Sequence, residues 1–324
     1  MRRRTKRMGG RRTTIYIIVV GLLLAAHYLY DNFAPELAIA SDIVEQGVFT
    51  ADEEPSEESA PRKSVGRAWA ELPNMKHGSE DTYITSHHSG SHRNYTVCYS
   101  STHHAPLWVA APLHRAYKGD VKRTDNYDFD PTLSVNIQPR LARSYGDYTR
   151  GHMLGSAERT ATREMNNQTF YATNIAPQLR TGFNEMGGAW NNLERFVDRE
   201  VCNDTLYVVT GAIYEPFTDS DGALIEPRTT RNKNDGMQIG VPTAYYKALL
   251  RTKAGRTGRS VEECKASELK CAAFIVGHRS ASGRKPSADD MISIKELERL
   301  TGIDFFANVP HAPEHEANAS DWGL

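Results

Sequence analysis

An α+β domain built on a mixed sheet is what this sequence of 324 residues predicts, and three observations carry the reading. Runs rich in β-branched and aromatic residues recur at Tyr95–Tyr99, Leu107–Leu113, Leu206–Thr210, Ala244–Leu250 and Cys271–Val276, which suits strands. Helical spacing is clear in two places. Trp190, Leu193, Phe196, Val197 and Val201 share one face after the Gly187-Gly188 break, and Ser293–Leu300 opens with Ser293 and Glu296 at capping-box spacing. Between Ser144 and Glu200 the chain reads strand, strand, helix, and the rest is organised around that stretch.

The chain opens with seven basic residues and no acid in positions 1–12, followed by an apolar run from Thr13 to Tyr30 interrupted only by His27. Eighteen residues of helix span about 27 Å, slightly short of a hydrocarbon core, so both a signal anchor and a long signal peptide remain open. The anchor is favoured, because no small-X-small site precedes Asp31 and Tyr28 and Tyr30 suit the membrane interface. The positive-inside rule then keeps 1–12 in the cytoplasm and places everything beyond Asp31 outside it, periplasmic or extracellular. Residues 31–61 carry nine acids and no Lys or Arg, and 31–75 as a whole reads as an extended, disordered linker ahead of a domain at 76–324.

Taking those seven basic and nine acidic residues from totals of 39 and 40 leaves 32 basic and 31 acidic from Arg62 onward. A net charge so close to zero neither requires nor excludes a nucleic-acid partner. The cysteines Cys98, Cys202, Cys264 and Cys271 have no C-X-X-C spacing, which argues against a zinc knuckle or a thioredoxin-like motif. An even count in an exported domain suggests disulfides. Three complete pairings exist; Cys264 with Cys271 is favoured for its short loop, leaving Cys98 with Cys202, and four buried free thiols fit a domain facing the cytoplasm.

In chain order, Tyr95–Tyr99 and Leu107–Leu113 should open the sheet, with His87, His88, His92, His103 and His104 on a polar surface around them. Tyr117–Tyr145 reads as a loop, with Arg140 and Arg143 as candidates to flank a substrate path. Tyr148–Met153 is a first central strand, in which Arg150 and His152, two apart, project from one face. Phe170–Ile175 is a second, stopped by Pro177 and delivering Asn174 to its end. Glu194, four residues after Trp190, flanks the apolar stripe of the following helix. The residues after Pro310 read as frayed. No P-loop or dinucleotide fingerprint is present, so any phosphate chemistry here must use a metal and an arginine.

Arg150-Gly151-His152-Met153, then Thr169–Gln178, then Asn184 and Trp190 with Glu194, resemble the DNA/RNA non-specific endonucleases, the ββα-metal or His-Me finger nucleases that include endonuclease G. The likeness runs from about Tyr95 to Pro310, with Gly240–Lys247 and Ile292–Phe306 as later blocks. It implies a ββα-metal motif and metal-dependent hydrolysis of DNA and RNA. It makes His152 the general base, Arg150 a phosphate contact, and Asn184 the ligand of Mg²⁺ (or Mn²⁺ or another divalent cation), with Asn191 as fallback because Glu185–Gly188 is longer than the usual segment. Glu194 is implied to act on metal-bound water or a neighbouring group, and Asn174 to organise the site. Two positions depart from the family: Thr149 replaces an Asp, and Leu154-Gly155 replaces Ala-Pro. A nuclease-derived module that binds nucleic acid or a surface partner without cutting is the alternative.

Overall fold

The computed structural model describes residues 69–75, 81–143, 145 and 147–324. The basic tail, the apolar run and the acidic run lie outside the described residues, and among the described residues no helix is long and apolar enough to cross a membrane. The strands are β1 (Asn74–Met75), β2 (Thr82–Ser89), β3 (His92–Ser100), β4 (Ala105–Leu113), β5 (Tyr148–His152), β6 (Ile175–Leu179), β7 (Leu206–Ile213), β8 (Phe217–Thr218), β9 (Leu224–Ile225), β10 (Arg228–Arg231), β11 (Gln238–Val241), β12 (Ala244–Thr252), β13 (Leu269–Gly277), β14 (Met291–Ile292) and β15 (Ile303–Asp304). The α-helices are α1 (Arg163–Gln168), α2 (Ala189–Glu200) and α3 (Ile294–Thr301).

A seven-stranded sheet in the order β14-β13-β12-β7-β4-β3-β2 forms the centre, antiparallel at every step. Successive side chains alternate between its faces. Val208, Tyr245, Leu249, Ala272 and Phe274 meet the β5–β6 ribbon and α2 on one side. Val209, Tyr246, Ala248, Ala273 and Ile275 meet α3, Phe305, Phe306 and Val309 on the other. The arrangement is α+β, with the strand-strand-helix unit laid across one face.

The apolar stripe of α2 buries Trp190, Leu193, Phe196 and Val197, whereas Val201 lies just past the helix as its C-cap. Ser293 caps α3 by accepting from the Glu296 amide at 3.2 Å, and Gly302 ends it in the left-handed conformation. Strand β7 continues through Gly211 to Ile213, because Gly211 is where the Tyr246 ring lies against the backbone. A β-carbon there would stand 2.0 Å from Tyr246 Cζ.

Several expectations are corrected. The sheet opens at β2, not at Tyr95, and the histidine-rich segment expected as polar surface includes a buried residue: His87 Nε2 lies 2.9 Å from Asp130 Oδ2 in the interior. The second central strand is Ile175–Leu179, while Ala172–Asn174 forms a 3-10 turn. Pro177 therefore sits inside a strand. It is tolerated because β5 and β6 form a two-stranded ribbon with no third strand awaiting its missing N–H, and its carbonyl accepts from the Tyr245 hydroxyl at 2.7 Å. The end of the chain is packed, with Trp322 buried edge-on against Phe274.

No disulfide forms: all four cysteines are free thiols. Cys98 points to the α3 face of the sheet, against Met75, whereas the Cys202 thiol, just past α2, donates to the Asp204 carbonyl at 3.4 Å. The Cys264 thiol instead donates to the Ser260 carbonyl in its own turn, and Cys271 is buried mid-strand opposite Leu250. Trp69–Met75, within the stretch read as linker, packs onto the domain: Ala70 and Glu71 are buried, Glu71 pairs with Arg93 at 2.9 Å, and β1 pairs with β15.

Candidate active site

Strand β5 carries Thr149, Arg150 and His152 to the mouth of a cleft of about 430 Å³. Asn184 comes from the turn after β6 and Glu194 from the second turn of α2, and both line the same cleft, with Gln178, Arg180 and Arg123. Four of the five expected site residues therefore converge. Asn174 does not line the cleft. It is fully buried behind it, accepting from the Leu154 amide and donating to the Leu154 and Thr169 carbonyls at 2.7–3.0 Å, which ties the exit of β5 to the entry of β6.

His152 is packed edge-on against Phe170 at 4.9 Å and Tyr127 at 5.9 Å. Its ring is hydrogen-bonded to the Arg150 backbone while Nε2 has no protein partner. Burial, with the nearby Arg123 and Arg150 charges, pushes its pKa down to about 3, so the ring is neutral at pH 7. Arg150 is held flat over Tyr127, 3.6 Å from the ring centroid, and bonded to the Leu141 carbonyl at 2.7 Å.

The Glu194 carboxyl is half-buried, and its pKa is pushed up to about 7 by burial, opposed by the Lys247 ammonium and reinforced by Glu158 and Asp198. Lys247 is itself buried under α2, bonded to Thr210 Oγ1 at 3.0 Å and 5.1 Å over the Trp190 ring.

Asn184 is gripped from one side. Its Nδ2 donates to Gln178 Oε1 at 2.5 Å and to Thr149 Oγ1 at 3.1 Å, which leaves Oδ1 for the cleft. Gly151 makes this possible: a β-carbon there would stand 2.1 Å from Gln178 Cδ, so only glycine lets the glutamine lie across the strand. Asn191 does not line the cleft; its Oδ1 accepts from the Gly187 amide at 3.4 Å.

The donor set fits one kind of metal. No group of three His, Cys, Asp or Glu among the described residues could hold an ion, which disfavours a zinc-type cage. A single free amide oxygen beside a carboxyl fits a hard divalent cation that keeps most of its water, as Mg²⁺ does.

Sequence reading missed Arg123, Tyr127 and Gln178, and proposed Arg140 and Arg143 in their place. Arg140 lines a different cavity, with Phe129, Val135 and Asp235, and Arg143 is exposed outside the cleft. Arg123 is the cation at the rim, bonded to Asp125, Ser156 and the Tyr127 hydroxyl.

The sequence profile of the DNA/RNA non-specific endonucleases matches residues 78–312, a span that contains the whole cleft. The chain belongs to that family. It is 26% identical over 225 residues to mitochondrial endonuclease G of Bos taurus, covering 68% of this chain and 69% of that one. It is 30% identical over 220 residues to a nuclease of a Nostoc strain, covering 66% and 72%. The fold is similar to a chain of the solved EndoG/EndoGI complex, with TM-score 0.53, 26% identity, and coverage of 70% of this chain and 86% of that one. As a member of this family the protein is a nuclease, and the family is dependent on divalent metal in general.

Proposed function

We propose that the protein hydrolyses phosphodiester bonds of DNA and RNA with little sequence preference, using Mg²⁺ and His152 as general base. The observation that carries this is a neutral imidazole whose Nε2 has no protein partner, in one cleft with Arg150, Asn184 and Glu194. Nε2 takes a proton from the attacking water, while the ring's own hydrogen bond to the Arg150 backbone fixes its orientation. The Arg150 guanidinium, braced on Tyr127, holds a non-bridging phosphate oxygen. Asn184 Oδ1 would hold the cation, with Glu194 bonding its water. When bound, the ion stabilises charge on the phosphate and on the departing oxygen. A site that grips phosphate rather than base edges accepts many sequences.

Purified protein incubated with plasmid DNA and with RNA in Mg²⁺ should cut both. Absence of cutting with any divalent ion, together with retained binding, would establish instead a module that holds nucleic acid.

The N-terminal pattern supports export, with 1–12 in the cytoplasm, 13–30 as an anchor, and the nuclease domain tethered outside. Protease added to intact cells should then reach the 31–61 segment, and full protection of that segment would contradict the topology.

A further inference from the structure

On the other flank of α2 from the cleft lies a second cavity, of about 460 Å³, lined by Asn192, Arg195, Phe196, Arg199, Lys285 and Trp322 among others. Arg195, Arg199 and Lys285 are exposed, and none of the three forms an ion pair among the described residues. Glu200 is the one side-chain carboxylate in the lining, which also includes Leu324. Glu200 is already shared between Arg251 at 2.9 Å and Lys270 at 2.7 Å, and the Asn192 amide is spent on the Gly187 and Arg284 carbonyls. Three cations without an ion pair thus surround one concavity with an aromatic floor, an arrangement suited to an anion.

We propose that this cavity binds a phosphate of the nucleic-acid chain whose scissile phosphodiester lies in the cleft. The inference rests on the nuclease reading and adds a second anchoring point, separate from the catalytic one. Geometry selects a polymer. Glu194 faces the cleft, while Arg195 and Arg199 follow at roughly 100° and 140° around the helix, so the two sites are separated by the body of α2. That body is about 10–12 Å across, so only a strand of several nucleotides can place one phosphate in the cleft and another in the second cavity. Arg195 and Arg199 then grip phosphate oxygens, and Lys285 supplies a point charge.

The test is fluorescence anisotropy of the full chain in EDTA, where nothing is cut, with labelled single-stranded DNA of about 20 nucleotides and with a dinucleotide. Replacing three phosphate-facing cations in R195A/R199A/K285A should weaken binding of the long strand by at least ~10-fold and make its log–log salt dependence shallower by about 1–2 units. Dinucleotide binding, too short to cross α2, should stay as in the wild type. R195K/R199K should recover most of the affinity, which a merely structural role for the arginines would not give. Wild-type affinity and salt slope in the triple variant would overturn the proposal, as would an equal loss with the dinucleotide. Failure of the wild type to cut plasmid would count against the nuclease reading alone, since the anisotropy experiment does not require cleavage.

Discussion

Gln178 Oε1 accepts from Asn184 Nδ2 at 2.5 Å, and Gln178 can reach it only because residue 151 has no side chain. A glycine in the first strand of the motif is thereby linked, through one glutamine, to the direction of Asn184 Oδ1, the proposed metal ligand. Gln178→Ala removes the grip and lets the Asn184 amide rotate. Loss of such an outer partner costs about 10–100-fold in metal affinity, so the Mg²⁺ concentration for half-maximal cleavage should rise by about that factor. Mn²⁺ binding followed by electron paramagnetic resonance checks the same point without turnover. Unchanged binding in a folded variant would show that Gln178 does not orient the ligand.

Asn184→Ala should raise the Mg²⁺ requirement further than Gln178→Ala and lower turnover as well, because the proposed ligand itself disappears. Asn191→Ala should leave the Mg²⁺ titration where it was, since Asn191 stands outside the cleft. The reverse outcome, read from cleavage rate against Mg²⁺ for the two variants side by side, would move the ligand to Asn191.

Much of this site was legible in the sequence because the chemistry is local. Arg150 and His152 are two apart on a strand, and Glu194 is four residues after Trp190 on a helix, so secondary structure alone fixes their relations. The register of the second strand was less accessible. Phe170 to Asn174 has strand-like composition but turns through a 3-10 segment, and the pairing passes to Ile175–Leu179 in spite of Pro177. Arg123 was missed for a different reason. It reaches the cleft from a loop with no periodicity, held by Asp125, Ser156 and Tyr127, and such contacts across the fold leave no spacing to read. The same holds for β2 and for Trp322, whose burial is decided by partners far along the chain.

Lys247 and Glu194 make a third prediction. The lysine lies on the sheet face beneath α2, and its charge opposes the burial that raises the Glu194 pKa to about 7. Removing the charge in Lys247→Met should raise that pKa further. If Glu194 acts ionised, the near-neutral rise in cleavage rate with pH should move to higher pH in Lys247→Met and disappear in Glu194→Gln. A pH profile identical to wild type in both variants would remove Glu194 from the reaction.

Acid stability follows from two buried histidines. His278 donates through Nδ1 to the Pro242 carbonyl at 2.7 Å and accepts the Leu179 amide on Nε2 at 2.8 Å, and its pKa, like that of His152, is pushed down to about 3, chiefly by burial. In the unfolded chain both should titrate near 6.5. Between about 6.5 and 3 the unfolded state binds more protons, so stability should be fully present above that window and fall steadily as pH drops through it. Melting temperatures measured from pH 7 down to 4 should decline, less steeply in His278→Gln, where an amide can keep both bonds without titrating. A flat profile would contradict the shifts.

The last prediction concerns His152 as the base. A general base must be neutral, and the structure holds this ring neutral well below its ordinary pKa through burial and the charges of Arg123 and Arg150. Any acidic limb assigned to His152 should therefore lie below about 6.5, separate from the near-neutral rise assigned to Glu194. Weakening the repulsion in Arg123→Gln should move that limb to higher pH, because one of the two positive neighbours is gone. His152→Ala should still bind substrate, since Arg150 and the metal site remain, but lose roughly 10²–10⁴-fold in rate, with partial rescue by added imidazole. The decisive comparison is single-turnover cleavage of one oligonucleotide by wild type and folded His152→Ala from pH 5 to 8. Equal rates with the same acidic limb in both would show that some other group takes the proton.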